Sequence, residues 1–142
     1  MGTVSLSVPQ AWAARLPVTE TERQVWSPAA DRNPGKETLA VRIAPRRPQM
    51  SDDDILTAAS TAQGLLPGVE LLGSRAVTTQ RGLKALWIET SFKPPGSTVA
   101  YRRAHVTAIG KKHVVHVFYT ATTPQPNAQV LRDAIDSLQE EG

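Results

Sequence analysis

Cysteine is absent from the 142 residues of this chain. Disulfides and thiolate metal ligands are therefore excluded, and the composition leaves the cellular compartment open because a cysteine-free domain folds in reducing and oxidising surroundings alike. Long apolar runs are absent too. No run approaches the roughly 20 residues needed to cross a bilayer, and residues 1–9 lack the basic start and apolar core of a signal peptide. We expect a soluble chain without a transmembrane segment, beginning either at its natural start or where an export signal was removed.

A strong net charge is also lacking. Sixteen Lys and Arg face thirteen Asp and Glu, for a formal net charge of +3. This excess is small compared with the concentrated positive field of nucleic-acid-binding domains, so no nucleic-acid partner is predicted. Glycine-rich phosphate loops and the G-x-S-x-G nucleophile motif are missing as well. We therefore predict no catalytic residues and no cofactor.

Strand and helix patterns run along the whole chain, and their order predicts the fold. Short strands are predicted at residues 4–8, 23–27 and 38–44, followed by a helix from Ser51, four longer strands and a last helix after Asn127. This order lacks the strand–helix alternation of a parallel sheet. We predict an α+β fold in one domain, residues 1–142, with an antiparallel sheet of about six strands flanked by two main helices as an α/β/α sandwich.

Both helices carry recognisable start signals. Ser51 can cap the first helix, and Asp54 stands where a capping box needs an acid. The acids at 52–54 are interpreted as helix-start charges and not as a cation site, because the spacing of a calcium loop is absent. Asn127 is predicted to cap the last helix, whose apolar residues form one stripe: Val130, Leu131, Ala134, Ile135 and Leu138.

Residues 99–123 are predicted to form a long β-hairpin around a two-residue loop at Gly110 and Lys111, in which glycine suits a type II′ turn. The resulting register places His105 directly opposite His116. A change of one residue in the register would move these histidines to opposite faces. One face is almost entirely apolar and is predicted to face the core. The other is a candidate partner-binding face formed by Tyr101, Arg103, His105, His116 and Phe118.

Two histidines on adjacent strands can provide two metal ligands. A structural or catalytic metal site needs three or four, and no cysteine or acid lies at a suitable local spacing. No metal site is therefore predicted. A small metal-dependent enzyme using His105 and His116 remains an alternative from another functional class.

Seven short segments, taken in order, form a recognisable series: residues 8–12 (VPQAW), 26–28 (WSP), 39–45, the helix from Ser51, 66–72 (LPGVELL), 116–121 (HVFYTA) and 135–138 (IDSL). This series resembles the PsbP-like superfamily, which includes PsbP, the Ran-binding Mog proteins and bacterial DcrB-like proteins and lipoproteins. The resemblance covers essentially the whole chain, with Ala11 where glycine is usual before the tryptophan.

The resemblance implies an antiparallel sheet between helices and a role in binding, with no shared catalytic residues to carry over. Two bacterial branches fit. The connector at 13–35 is similar to that of exported or lipid-anchored envelope proteins, whereas the short length and missing signal peptide are similar to the cytoplasmic Eag-type chaperones of type VI secretion. We favour a non-catalytic module of a bacterial envelope protein or lipoprotein that binds a ligand or, more typically, another protein. The oligomeric state stays open.

Overall fold

The computed structural model describes residues 3–15, 23–28, 37–64, 68–93, 96, 98, 100–122 and 128–141. The predicted order of short strands, helix, longer strands and helix is present in these ranges. The elements are β1 (Thr3–Ser5), β2 (Trp12–Arg15), β3 (Arg23–Pro28), β4 (Glu37–Pro45), α1 (Asp52–Gly64), β5 (Val69–Thr78), β6 (Lys84–Phe92), β7 (Tyr101–Ile109), β8 (His113–Ala121), α2 (Ala128–Asp136) and β9 (Gln139–Glu141).

Antiparallel pairing organises the strands into two sheets. The main sheet has seven strands in the order β2-β3-β4-β8-β7-β6-β5, and β1 pairs with β9 in a separate two-stranded sheet. The α+β prediction is confirmed, with seven strands in the main sheet where about six were expected. Strands β5 to β8 form a meander of consecutive hairpins, and β4 joins it by pairing with β8.

Helix α2 packs on one face of the main sheet, which we call the α2 face. Its predicted apolar stripe is buried, and Leu131, Ala134 and Ile135 are each 0% exposed. These side chains share one core with the apolar face of the hairpin, including Val106, Ala108, Val115, Val117 and Tyr119. The face predicted to form the core floor is therefore the face that does so.

Helix α1 lies on the opposite side of the sheet. The backbone N–H of Asp54 donates to Ser51 Oγ at 3.2 Å, and the N–H of Ser51 donates to Asp54 Oδ2 at 3.3 Å, which confirms the capping box. Ile55 packs with Ile109 and Val114 in a second, smaller apolar cluster. The two helices thus flank the sheet, as an α/β/α sandwich requires.

Strand β5 contains an irregularity beside Gly73, a position where glycine within a strand pattern predicts one. Its pairing with β6 shifts between Leu71 and Gly73, so Leu72 is an extra residue and the strand has a β-bulge. A tight turn then leads to β6, as the sequence Gln-Arg-Gly at 80–82 predicts. The N–H of Gly82 donates to the carbonyl of Thr79 at 2.9 Å, and Gly82 has a φ of +88°, which a side chain would strain.

Two strands are absent from the sequence prediction, and one is shorter than predicted. Residues 12–15 form β2, where a connector is predicted from Ala13, because they pair with β3. The tail, which its acidic composition predicts to be a solvated end, forms β9 against β1. These two strands depend on a partner far away in sequence or on a short edge pairing, which local periodicity does not reveal. The strand predicted at 4–8 ends at Ser5 as β1.

The sequence Asn-Pro-Gly at 33–35 predicts a loop turn. This turn and the helix cap predicted at Asn127 lie outside the described residues. Neither of the two helices in the described ranges has the length and apolar character that crossing a bilayer demands.

Candidate functional site

The β7–β8 hairpin brings the five predicted site residues to one face of the sheet, which we call the histidine face. The observed register differs from the predicted one. Thr107 pairs with His116 and His105 pairs with Phe118, so the two histidines are diagonal neighbours and not directly opposite. The difference amounts to two residues in the pairing. Because side chains alternate with a period of two, a shift of two leaves every side chain on its predicted face.

The position of the turn explains the shift. The N–H of Gly110 donates to the carbonyl of His113 at 2.8 Å, which makes Lys111 and Lys112 the two loop residues. Gly110 does not have the positive φ that the first central residue of a type II′ turn requires, so the type II′ turn predicted around Gly110 is wrong. Arg46, the residue that follows β4, holds this geometry: its backbone N–H donates to the Lys112 carbonyl at 2.9 Å, and its Nη1 donates to the Gly110 carbonyl at 3.1 Å.

A compact polar cluster forms where the two histidines meet. His105 Nε2 and His116 Nδ1 lie 3.0 Å apart, and Thr107 Oγ1 lies 3.2 Å from the first nitrogen and 3.1 Å from the second. We call these three side chains the His–Thr–His triangle. Thr107 is 0% exposed and His105 is 4% exposed. At this depth, polar atoms must pair with each other, and the three do so.

The triangle constrains where protons can sit. An N–H of one imidazole can donate to the ring nitrogen of the other or to the threonine oxygen, and the hydroxyl can donate to the nitrogen that carries no proton. One imidazole therefore acts as a donor at this contact while the other acts as an acceptor. A proton on both facing nitrogens would bring two N–H groups together across 3.0 Å.

Metal-ion chemistry has little support at this cluster. No group of three or more His, Cys, Asp or Glu side chains converges anywhere in the described part of the chain. The third polar atom beside the two imidazoles is a threonine hydroxyl, which is not among the usual protein ligands of zinc.

Aromatic rings and one arginine surround the triangle. The His105 ring stacks on Phe118, with centroids 4.2 Å apart and planes inclined by 17°. The guanidinium carbon of Arg103 lies 4.9 Å from the Phe92 centroid and 5.8 Å from that of Phe118, and Arg103 Nε donates to Thr120 Oγ1 at 3.1 Å. Arg103 is thus held beside these aromatic rings by cation–π contacts and a hydrogen bond.

Exposure divides the five predicted residues into two groups. His105 and Phe118 are buried, with Phe118 8% exposed. Tyr101, Arg103 and His116 are half-buried and reach the surface. A partner that binds the histidine face in this conformation would therefore contact the three half-buried side chains. The two buried side chains pack beneath them.

Sequence reasoning missed three members of this neighbourhood. Thr107 lies two residues after His105 on the same strand, a spacing that places both on one face and was the available signal. Phe92 and Arg42 belong to β6 and β4, and their positions follow only from strand pairing: Phe92 pairs with Tyr101, and Arg42 pairs with His116.

The charge of the histidine face is positive. Register places Arg42 of β4, Lys84 of β6 and Arg103 of β7 on this side of the sheet. Over strands β4 to β8, no Asp or Glu shares the face, because Glu37, Glu70 and Glu89 alternate to the α2 face. The acids on this side of the sheet lie in the first turn of α1, at 52–54, where Asp52 forms an ion pair with Arg46 at 2.6 Å.

Helix α1 covers part of the histidine face. Its Ile55 packs at the Ile109–Val114 end of the hairpin, and the helix contacts β5, β6 and β7. Arg42 lies on β4, outside the area that this helix covers, and its side chain is exposed. The uncovered part of the face therefore comprises β8 and β4 together with the first residues of β7, where Tyr101 and Arg103 are half-buried.

A cavity of about 180 Å³ is lined by residues of β5 to β8, and Arg103 of the histidine face is among them. Leu72, Glu89, Ala104 and Tyr119 contribute to its lining. The Tyr119 hydroxyl donates to Glu37 Oε2 at 2.5 Å, and Trp87 Nε1 donates to Glu89 Oε1 at 3.0 Å. Its small volume and paired polar groups make it a weaker candidate than the histidine face.

Comparisons with known proteins place the fold. No protein family matches the chain, and no curated protein does. LpqN of Mycobacterium tuberculosis, described as involved in cell envelope biogenesis, has a TM-score of 0.78, with 15% identity, over 100% of this chain and 85% of LpqN. A protein from Bacteroides thetaiotaomicron VPI-5482 has a TM-score of 0.68, with 10% identity, over 98% of this chain and 45% of that protein. At these identities, the similarity shows a shared fold.

Proposed function

We propose that this chain is a non-catalytic binding module of the bacterial cell envelope, and that the uncovered part of the histidine face binds an acidic segment of a partner protein. The observation that carries the proposal is the charge of this face. Arg42, Arg103 and the half-buried His116 lie on it, and the strands β4 to β8 place no acid there. Such a surface favours encounter with negative charge.

The aromatic side chains fit the same role. Tyr101 is half-buried and lies 5.5 Å from Phe92 between ring centroids, so both present apolar area beside the cations. Aromatic residues and arginine are enriched at the centres of protein interfaces. Arg103 is already ordered by Phe92, Phe118 and Thr120, which lowers the entropy lost when it binds.

A binding role also accounts for the centre of the face better than catalysis does. The most buried polar groups, in the His–Thr–His triangle, contact one another at 3.0–3.2 Å. A general acid or base instead has to reach a substrate proton in an open pocket. The envelope assignment is supported by the fold shared with LpqN and by the predicted resemblance to the PsbP-like superfamily.

Site-specific photo-crosslinking tests the proposal. A benzophenone amino acid replaces Tyr101 on the histidine face or, in a matched control, the exposed Gln129 of α2. In source cells separated into envelope and cytosol, position 101 should yield a protein adduct in the envelope fraction, and position 129 should not. Adducts found only in the cytosol would contradict the envelope part, and equal adducts from both positions would contradict the site.

Charge reversal in the same crosslinking experiment tests whether binding depends on the positive charge of this face. Arg42→Glu should reduce the adduct at position 101 by about tenfold, because a like charge then faces the acidic segment. Arg81→Glu makes the same change of charge in the exposed β5–β6 turn and should leave the adduct unchanged. A similar loss with both variants would show a general effect of net charge and not a specific surface.

A further inference from the structure

Strand β5 leaves one of its edges without a strand partner among the described residues, because it ends the main sheet. All of its residues except Val69 and Val77 are exposed, and Leu71 and Leu72 are 50% and 42% exposed. Unpaired backbone groups along an exposed edge can pair with another strand. A strand that pairs with this edge has to match the charge and size of the β5 side chains.

The bulge changes which side chains of β5 share a face. Glu70 pairs with Ser91, and Arg75 pairs with Trp87. Ser91 and Trp87 are four residues apart on β6 and point the same way. Glu70 and Arg75 therefore lie on the same face although they are five residues apart, a spacing that puts side chains on opposite faces of a regular strand.

This arrangement is self-complementary. Two copies of β5 can run antiparallel about a two-fold axis that passes between Leu72 and Gly73. Glu70 of one copy then lies opposite Arg75 of the other, and symmetry repeats this opposite-charge pair. On either side of the axis, large residues meet small ones: Leu71 lies opposite Ser74, and Leu72 lies opposite Gly73.

The structure also prepares Arg75 for this role. Its guanidinium carbon lies 4.9 Å from the centroid of the buried Trp87 ring, which keeps the side chain close to the sheet on the α2 face. A charge fixed near the strand loses less side-chain entropy in a cross-strand pair than a free one.

We propose that β5 pairs with β5 of a second copy of this chain, joining two seven-stranded sheets into one continuous sheet. Bulges and charges on an edge strand often prevent such pairing. Here the two charges have opposite signs, lie at equal distances from the two-fold axis and share a face, so they favour one antiparallel register. The interface is separate from the uncovered part of the histidine face, and the inference does not depend on the proposed function.

Sedimentation equilibrium of the full chain tests the proposal between about 10 µM and about 1 mM, the range in which a small exposed interface associates. The wild type should show a concentration-dependent monomer–dimer equilibrium. Glu70→Arg and Arg75→Glu should each weaken the dimer about tenfold, because each creates two like-charge pairs. The double variant exchanges the charges, restores both pairs and should return the dissociation constant to within about threefold of wild type.

Two further measurements separate this interface from general effects. Arg81→Glu, with the same change of charge as Arg75→Glu, should leave dimerisation unchanged. Hydrogen exchange should show protection of β5 amides that increases with protein concentration, a readout that a loss of stability in one variant does not mimic. A chain that stays monomeric throughout, or a double variant as weak as the single ones, would overturn the proposal.

Discussion

Replacing Thr107 with valine should lower the free energy of unfolding by about 2 kcal/mol, although the two side chains have nearly the same shape. Thr107 is 0% exposed, and its hydroxyl is a hydrogen-bond partner of both histidines. Valine keeps the packing but leaves the buried His105 with one polar partner fewer at Nε2. The free energy of unfolding falls because a buried polar atom of His105 loses a hydrogen-bond partner that water does not replace.

Urea unfolding at pH 7 measures this effect. The matched control is Thr78→Val, which makes the same change on the exposed edge strand β5 and should alter stability by less than about 0.5 kcal/mol. Equal effects of the two substitutions on the free energy of unfolding would contradict the prediction. They would show that the hydrogen bonds of the triangle add no stability beyond the difference in strand propensity between threonine and valine.

Leu131→Ala should cause the largest loss of stability, about 3 kcal/mol. Leu131 is 0% exposed and lies in the core between α2 and the hairpin. The substitution removes its transfer free energy and leaves a cavity that the rigid sheet cannot close. The transition in thermal unfolding should fall by roughly 10 °C, given the size of the chain.

The control for Leu131→Ala is Leu71→Ala, since Leu71 is 50% exposed. Its effect on the melting temperature of the monomer at low concentration should be small. If Leu131→Ala were equally mild, α2 would not close the core on its face of the sheet, and the α/β/α arrangement would have to be revised.

The hairpin shows how far sequence reasoning reaches. Alternation of apolar and polar residues assigns Val106 and Val117 to one face and His105 and His116 to the other, and both assignments are confirmed. The predicted register is wrong by two residues because the turn depends on Arg46, which follows β4 and forms hydrogen bonds to the carbonyls of Gly110 and Lys112. Faces follow from local pattern, whereas register here follows from a tertiary contact.

The candidate site follows the same rule. The sequence predicts that His105 and His116 share a face. It does not predict that the Thr107 hydroxyl contacts both of them, because this contact requires the observed register, in which Thr107 pairs with His116. Phe92 and Arg42 come from strands whose neighbours cannot be read from a local window. The burial of His105 could not be predicted either, because it depends on how other elements cover the face.

The pairing of β4 with β8 also bears on how the chain closes. Strands β5 to β8 are joined in sequence, so each of their pairings closes a short loop. The pairing of Glu37–Pro45 with His113–Ala121 instead encloses α1 and three strands within one loop. Loop-closure entropy rises with loop length. Much of the loop-closure entropy that is lost in completing the sheet therefore belongs to the pairing of β4 with β8. At the end of this pairing, Arg46 forms hydrogen bonds to both the hairpin turn and the start of α1.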